Sequence, residues 1–295
     1  MEPAFFRLHP AVSFLYFLGV LAFSMLLMHP ICIVISLGCA ATECVILLKP
    51  RSAAKKAALA APLLAVAALI NPAFNHEGAT ILGYFSSGNP LTLESLLYGL
   101  AAAGMLLAVL LWCAVLQRVM TADRLFCVLG RGAPTLSMIF SMVLRFVPLF
   151  RSRFRQIAQA QRCIGRDAAG QSLAAKLRSG VRVFSIMVTW SLECAVETAD
   201  SMKSRGYGLP GRTSFALYRF GPRDWKLLSA LLCLAGCVAY GAAAGKLSWL
   251  YFPTLKGTPL QSSIGALIAY FLFCCLPIML EAREAYLWKS SISQI

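Results

Sequence analysis

The sequence predicts an all-α integral membrane protein: about six transmembrane helices and a cytoplasmic helical domain built on two long helices. Three observations carry this. Of 295 residues, 59% are hydrophobic and only 13% are charged, where a soluble domain of this size carries about 25% charged residues. The mean hydropathy is +0.72. Despite the scarcity of charge, the formal net charge is +15, so the charges are strongly one-sided. Two explanations compete for such an excess, nucleic-acid binding and the Lys/Arg bias that orients membrane proteins.

Six stretches are apolar enough and long enough to cross a bilayer, which takes about 17–25 residues. They are residues 11–28, 31–48, 57–74, 95–116, 227–244 and 264–280. Met28-His29-Pro30 makes a tight turn between the first two. The third contains Pro62 and the last Pro277, tolerable where neighbours satisfy the freed carbonyl. The fourth is rich in small residues from Gly99 to Gly104, which suits close helix packing. His9 and His29, each beside a proline, read as interfacial residues. Glu43 lies inside the second stretch, and a salt bridge to Lys49 or Lys55 by snorkelling is the expected arrangement.

Charge sets the topology. Lys49, Arg51, Lys55 and Lys56 place the loop after the second span in the cytoplasm, whereas the 75–93 connection has no Lys or Arg. Lys246 and Lys256 are the only basic residues between the last two spans. Six spans then put both termini in the cytoplasm, in agreement with Arg7, Arg283 and Lys289. The chain divides into a four-span region (1–116), a cytoplasmic domain (117–225) and a two-span region (226–295). The middle part holds 17 of the 27 basic residues and six acidic ones, a distribution that orientation alone does not require.

Within it, residues 135–150 are apolar enough to lie in or along the membrane, although Arg145 and Pro148 interrupt them. Arg151, Arg155, Arg162 and Arg166 then recur at intervals of four, seven and four. Such spacing puts four guanidinium groups on one helical stripe, while Phe150, Phe154, Ile157 and Ile164 line another. A second helix over about 181–205 carries Val188, Leu192, Ala195, Ala199 and Met202 at a period of 3.5, the seam of a helix packed lengthwise on another. Gly206 and Gly208 stop it and present Arg205 at its end.

The chemistry these residues exclude is as informative. Glu193, Glu197 and Asp200 share a face, but carboxylates at i, i+4 on an amphipathic helix form its wet side. The run from Gly241 to Leu247 is one residue short of a phosphate-binding loop and lacks the Ser/Thr after Lys246. Eleven cysteines include no C-x-x-C pair, and those inside apolar runs read as small apolar residues. No catalytic residue, cofactor or metal site is expected, and the chain reads as a non-enzyme. Guanidinium groups at a helix end suit bidentate pairing with an acidic groove on a protein. The basic stripe lacks interleaved exposed aromatics, which speaks against nucleic acid. An autonomous secondary transporter or channel lined by Glu43 is the alternative, yet no inverted repeat is visible.

The run from Ala199 to Gly208, with Gly211-Arg212-Thr213 after it, closely resembles a signature of the transmembrane T component of energy-coupling factor (ECF) transporters, the EcfT/CbiQ family. Arg145-Phe146-Val147-Pro148, Ala158-Gln159-Ala160-Gln161 and the stretches around Asn75-His76 and Asn89-Pro90 extend the likeness across most of the chain. In that family an Ala-Arg-Gly triplet ends each of two cytoplasmic coupling helices. Ser204-Arg205-Gly206 stands at the second triplet. At the first, Cys163-Ile164-Gly165 occupies the slot and its arginine is missing. Arg162 and Arg166 flank that slot by about 200° each way on a helix.

The resemblance implies a multi-pass protein of a bacterial or archaeal cell membrane. It also implies two ABC ATPases docking at Ser204, Arg205 and Gly206 and at Arg162, Gly165 and Arg166. A small substrate-binding membrane subunit would contact Leu144, Phe146, Val147, Val188, Leu192 and Ala195, and the cargo would be a vitamin or other micronutrient.

Overall fold

A computed structural model describes residues 8–48, 50–75, 78–84, 90–122, 124–125, 127–128, 134–165, 173–207, 209 and 220–292. The chain is the all-α membrane protein that its composition predicts. Eight helices occur among the described residues: α1 (Pro10–Leu26), α2 (Pro30–Leu48), α3 (Pro50–Phe74), α4 (Leu93–Val119), α5 (Pro134–Cys163), α6 (Leu173–Ser204), α7 (Pro222–Ala243) and α8 (Leu260–Ile292). Two short antiparallel pairs supplement them. Strand β1 (Ile81–Tyr84) pairs with β2 (Pro90–Thr92), and β3 (Trp249–Leu250) with β4 (Lys256–Gly257).

The helices fall into two compact units, one of residues 1–128 with 218–295 and one of 129–217. In the first, α2, α4, α7 and α8 are each long and apolar enough to cross a membrane, whereas α1 and residues 60–72 of α3 are shorter apolar helices. Arg51, Lys55 and Lys56 occupy the first turns of α3, which shortens its apolar part. Leu173–Ser204 also meets the length and composition of a span, because Val183 to Leu192 are largely apolar.

The core of the larger unit joins α1, α2, α4, α7 and α8 through buried residues that include Phe17, Cys39, Trp112, Val238, Tyr270 and Phe273. A polar node crosses it. Ser24 Oγ lies 2.8 Å from Ser36 Oγ and 3.3 Å from Tyr270 Oη, and Trp112 Nε1 donates to Ser36 Oγ at 3.1 Å. Polar groups in an apolar interior are costly unless paired, so these bonds fix the rotational setting of four helices at once. Small residues set the closest approaches. A Cβ on Gly99 would collide with the carbonyl oxygen of Ala68 on α3, and one on Gly241 would sit 2.6 Å from the Cβ of Ala266 on α8. Gly241 therefore serves helix packing.

Both histidines are helix caps. His9 and His29 are buried, and each Nδ1 accepts from the backbone N–H two residues on, at Ala11 (3.2 Å) and Ile31 (3.3 Å). Pro10 and Pro30 follow at the first helical position, where a missing N–H costs nothing. Each imidazole and the proline after it thus act together at a helix start, in the bundle and not at its surface. Two charged residues of the 117–225 stretch also belong to the larger unit. Buried Arg124 donates to the carbonyls of Leu8 (3.2 Å) and Val119 (3.3 Å). Asp224 accepts from the backbone N–H of His9 (3.1 Å) and Gly221 (2.9 Å). Together they clamp the start of α1 against α4 and α7.

Glu43 is only 1% exposed, its Oε2 accepts no hydrogen bond, and it lies within electrostatic reach of Glu281 on α8. Both carboxylate oxygens of Glu281 are likewise buried without a hydrogen-bond partner. Of the expected partners, Lys49 lies outside the described residues and the side chain of Lys55 is not described. Among the described residues, the charged neighbour of Glu43 is another acid, Glu281.

The packing makes the outcome of three substitutions testable. Gly99→Ala should force α3 from α4 and destabilise the detergent-solubilised chain by about 1–3 kcal/mol. Gly236→Ala, with open space around it, should leave the thermal midpoint unchanged or raised through helix propensity. Glu43→Gln should leave the midpoint unchanged or raise it, by about 1 kcal/mol or more, since it removes a buried acid beside a like group. A clear fall would favour a salt bridge from Glu43 to a lysine.

Candidate functional site

The 129–217 unit is built on α5 and α6, which meet at an aromatic crossing. The rings of Phe150 and Trp190 pack edge to face with centroids 5.7 Å apart. Phe146 stacks on Phe150 at 5.7 Å, and the Arg153 guanidinium lies 5.1 Å from the Trp190 ring centre. From this crossing α5 runs on to Cys163 and α6 to Ser204. At 1.5 Å per residue, the arms from Phe150 to Gly165 and from Trp190 to Gly206 are about 22 and 24 Å long.

The two arms end alike. Gly165 has φ +74° and Gly206 φ +77°, the left-handed conformation that glycine adopts without a Cβ penalty. The Gly165 N–H donates to the Arg162 carbonyl at 2.9 Å, and the Gly206 N–H to the Lys203 carbonyl at 3.0 Å. At the second end the Tyr207 N–H also donates to the Met202 carbonyl at 3.1 Å, completing a Schellman motif. When the glycines are matched, Ile164 stands where Arg205 stands and Cys163 where Ser204 stands. Arg205 and Ile164 are both exposed, so one arm presents a guanidinium and the other an apolar side chain. Arg162 is exposed two residues before Ile164, about 200° round the helix, and Arg166 lies outside the described residues.

The apolar residues form a surface, not a seam. Val188 and Leu192 are 39% and 63% exposed, and Ala195 and Ala199 are exposed as well. The less exposed line of α6 runs through Val183, Met187, Trp190, Cys194, Thr198 and Met202. Except for Met202 it is displaced by about one residue, or about 100°, from the expected seam. An apolar face directed at another apolar phase has the same period as a core face, so spacing alone did not separate them. Sequence reasoning missed Trp190 because it lies off the Val-Leu-Ala pattern. Leu144 and Val147 on α5 are exposed, Phe146 is half-buried in the ring stack, and Phe154 and Ile164 of the second stripe are exposed. Glu193, Glu197 and Asp200 are all exposed, the wet side of α6.

The helix stop carries its own prediction. Gly206→Ala puts a Cβ at positive φ and 3.2 Å from Leu209 Cδ1, a strain of about 1–2 kcal/mol. Amide exchange of residues 203–207 should quicken while that of residues around the crossing holds. Unchanged exchange at 203–207 would show that the stop does not depend on glycine.

The chain matches the family described as cobalt transport protein (CbiQ) over residues 5–215. It is also similar to energy-coupling factor transporter transmembrane proteins. The one from Lacticaseibacillus paracasei is 30% identical over 102 residues, covering 34% of this chain and 39% of that protein. The one from Bacillus selenitireducens is 32% identical over 104 residues (35% and 39%), and one from Listeria monocytogenes is 34% identical over 101 residues (33% and 38%). The chain thus spans about 39% of the length of these curated relatives. With the family match covering residues 5–215 of 295 and the helices long and apolar enough to cross a membrane, this multi-pass membrane protein belongs to the CbiQ family of cobalt transport proteins.

Proposed function

We propose that the chain is the non-catalytic transmembrane scaffold of an ECF-type importer, transmitting movement of two partner ABC ATPases to a substrate-binding membrane subunit for uptake of a vitamin or other micronutrient. The observation that carries this is the pair of matched arms, each closed by a left-handed glycine, with Arg205 exposed at one tip. A helix end whose stop is fixed by backbone hydrogen bonds holds its last side chain in a defined direction. A guanidinium there fits a carboxylate groove bidentately. The relatives named above are transmembrane proteins of such transporters, which supports the same reading.

In this account Ser204, Arg205 and Gly206 dock one ATPase, and Gly165 with Arg162 and Arg166 faces the other. Ile164 makes that first contact apolar at its tip, so the two contacts are unequal, which suits two non-identical ATPases. The exposed apolar residues Leu144, Val147, Val188, Leu192 and Ala195, with Phe146 beside the crossing, receive the substrate-binding subunit. Crossed helices held by one ring contact move between discrete packed states and do not bend smoothly, which is what force transmission needs. The Lys/Arg distribution supports a cytoplasmic side for the 129–217 unit and for both termini.

Arg205→Ala should weaken ATPase docking by about 2–5 kcal/mol, as for other desolvated charge contacts, read as loss of ATPase from the copurified complex. Ile164→Arg should strengthen the other contact, and Arg162→Ala should cost less than Arg205→Ala. Copurification undiminished by Arg205→Ala would remove the assigned role. Substrate uptake by the purified chain alone in liposomes would favour an autonomous transporter instead.

A further inference from the structure

The larger unit has a lateral groove between α2, α3 and α4 that the proposed function does not use. Its volume is about 610 Å³, and its walls include Ile33, Val34, Leu64, Ala68, Leu97 and Leu107. Trp249, in β3, and Tyr251, just after it, line the end of the groove at the β3–β4 pair. Val34, Leu97 and Leu100 are exposed, so the groove opens on the outside of the bundle. Small residues make its floor, where a Cβ on Gly104 would come 3.1 Å from Ile33 Cγ2.

We infer that this groove holds one acyl tail of a membrane phospholipid, from the leaflet on the β3–β4 side. Length is the first ground. On α4 the lining runs from Leu97 to Leu107, about 15 Å of helix, which is half of the roughly 30 Å hydrocarbon core. The groove therefore stops near the bilayer midplane, as a single leaflet's tail does. The chemistry is the second. Apart from Trp249 and Tyr251 the lining is apolar, so a hydrocarbon chain gains dispersion contacts there that water does not replace.

The β3–β4 end matches a headgroup region. Trp249 and Tyr251 are the amphipathic aromatics that settle at the membrane–water interface, and Tyr251 Oη donates to the Met28 carbonyl at 2.9 Å. Leu255 lines the groove and exposed Lys256 follows it, putting an ammonium within one residue of the rim for a lipid phosphate.

The test uses the full chain reconstituted in vesicles of phosphatidylethanolamine and phosphatidylglycerol, extracted, washed with detergent and analysed for retained phospholipid. The unaltered chain should keep one phospholipid per copy. Ala101→Phe, which fills the groove, should lower retention about tenfold or more, while Leu18→Phe on the exposed surface of α1 should not. Should Ala101→Phe fail to fold, phospholipids brominated on one tail provide the second measurement. After washing they should quench the Trp249 fluorescence, taken as the difference between the unaltered chain and Trp249→Phe. The inference is overturned if the unaltered chain retains no phospholipid, if Ala101→Phe retains as much, if Trp249 is not quenched, or if Ala101→Phe releases a bound membrane protein and leaves lipid unchanged.

Discussion

The candidate site depends on one contact, the edge-to-face packing of Phe150 against Trp190. Among the described residues of the 129–217 unit, this crossing and the half-buried line beside it are what hold two helices of 30 and 32 residues together. Everything beyond the crossing follows from helix geometry. Two arms of about equal length leave it, and each ends in a glycine at positive φ. Without the crossing, two helix ends have no defined separation and cannot engage two partners as a pair.

The larger unit solves a different problem. In lipid, apolar side chains gain little from contacting each other, so close approach at small residues and internal polar bonds set the packing. Gly99 against Ala68 and Gly241 against Ala266 provide the first, and the node of Ser24, Ser36, Trp112 and Tyr270 provides the second. Buried Arg124 and Asp224 tie down the start of α1 by hydrogen bonding to backbone groups. Glu43 and Glu281 are the exception, with carboxylate oxygens that are buried and accept nothing.

The all-α membrane class was legible because it rests on composition and run length, which survive any detail of packing. The stop at Gly206 was legible because left-handed backbone is nearly a glycine property, whereas Gly165 came only from the likeness to the family. The seam through Val188 and Leu192 was misread because a 3.5-residue period reports an apolar face and not what covers it. Arg124 and Asp224 were hidden for a related reason. Their roles include bonds to backbone groups distant in sequence, Arg124 to Leu8 and Asp224 to His9, and no local pattern encodes those. The missing arginine at residue 164 was visible only by likeness to the family. The structure adds that this residue occupies the same position relative to its glycine as Arg205 does.

The central claim is that the two tips touch two ATPases, one through a guanidinium and one without. Its most direct measurement is photo-crosslinking in the assembled complex from a reactive side chain placed at residue 205, and separately at residue 164. The account predicts an ATPase adduct from each position, on opposite ATPase subunits. Adducts confined to lipid, or to the substrate-binding subunit, from residue 205 would contradict it.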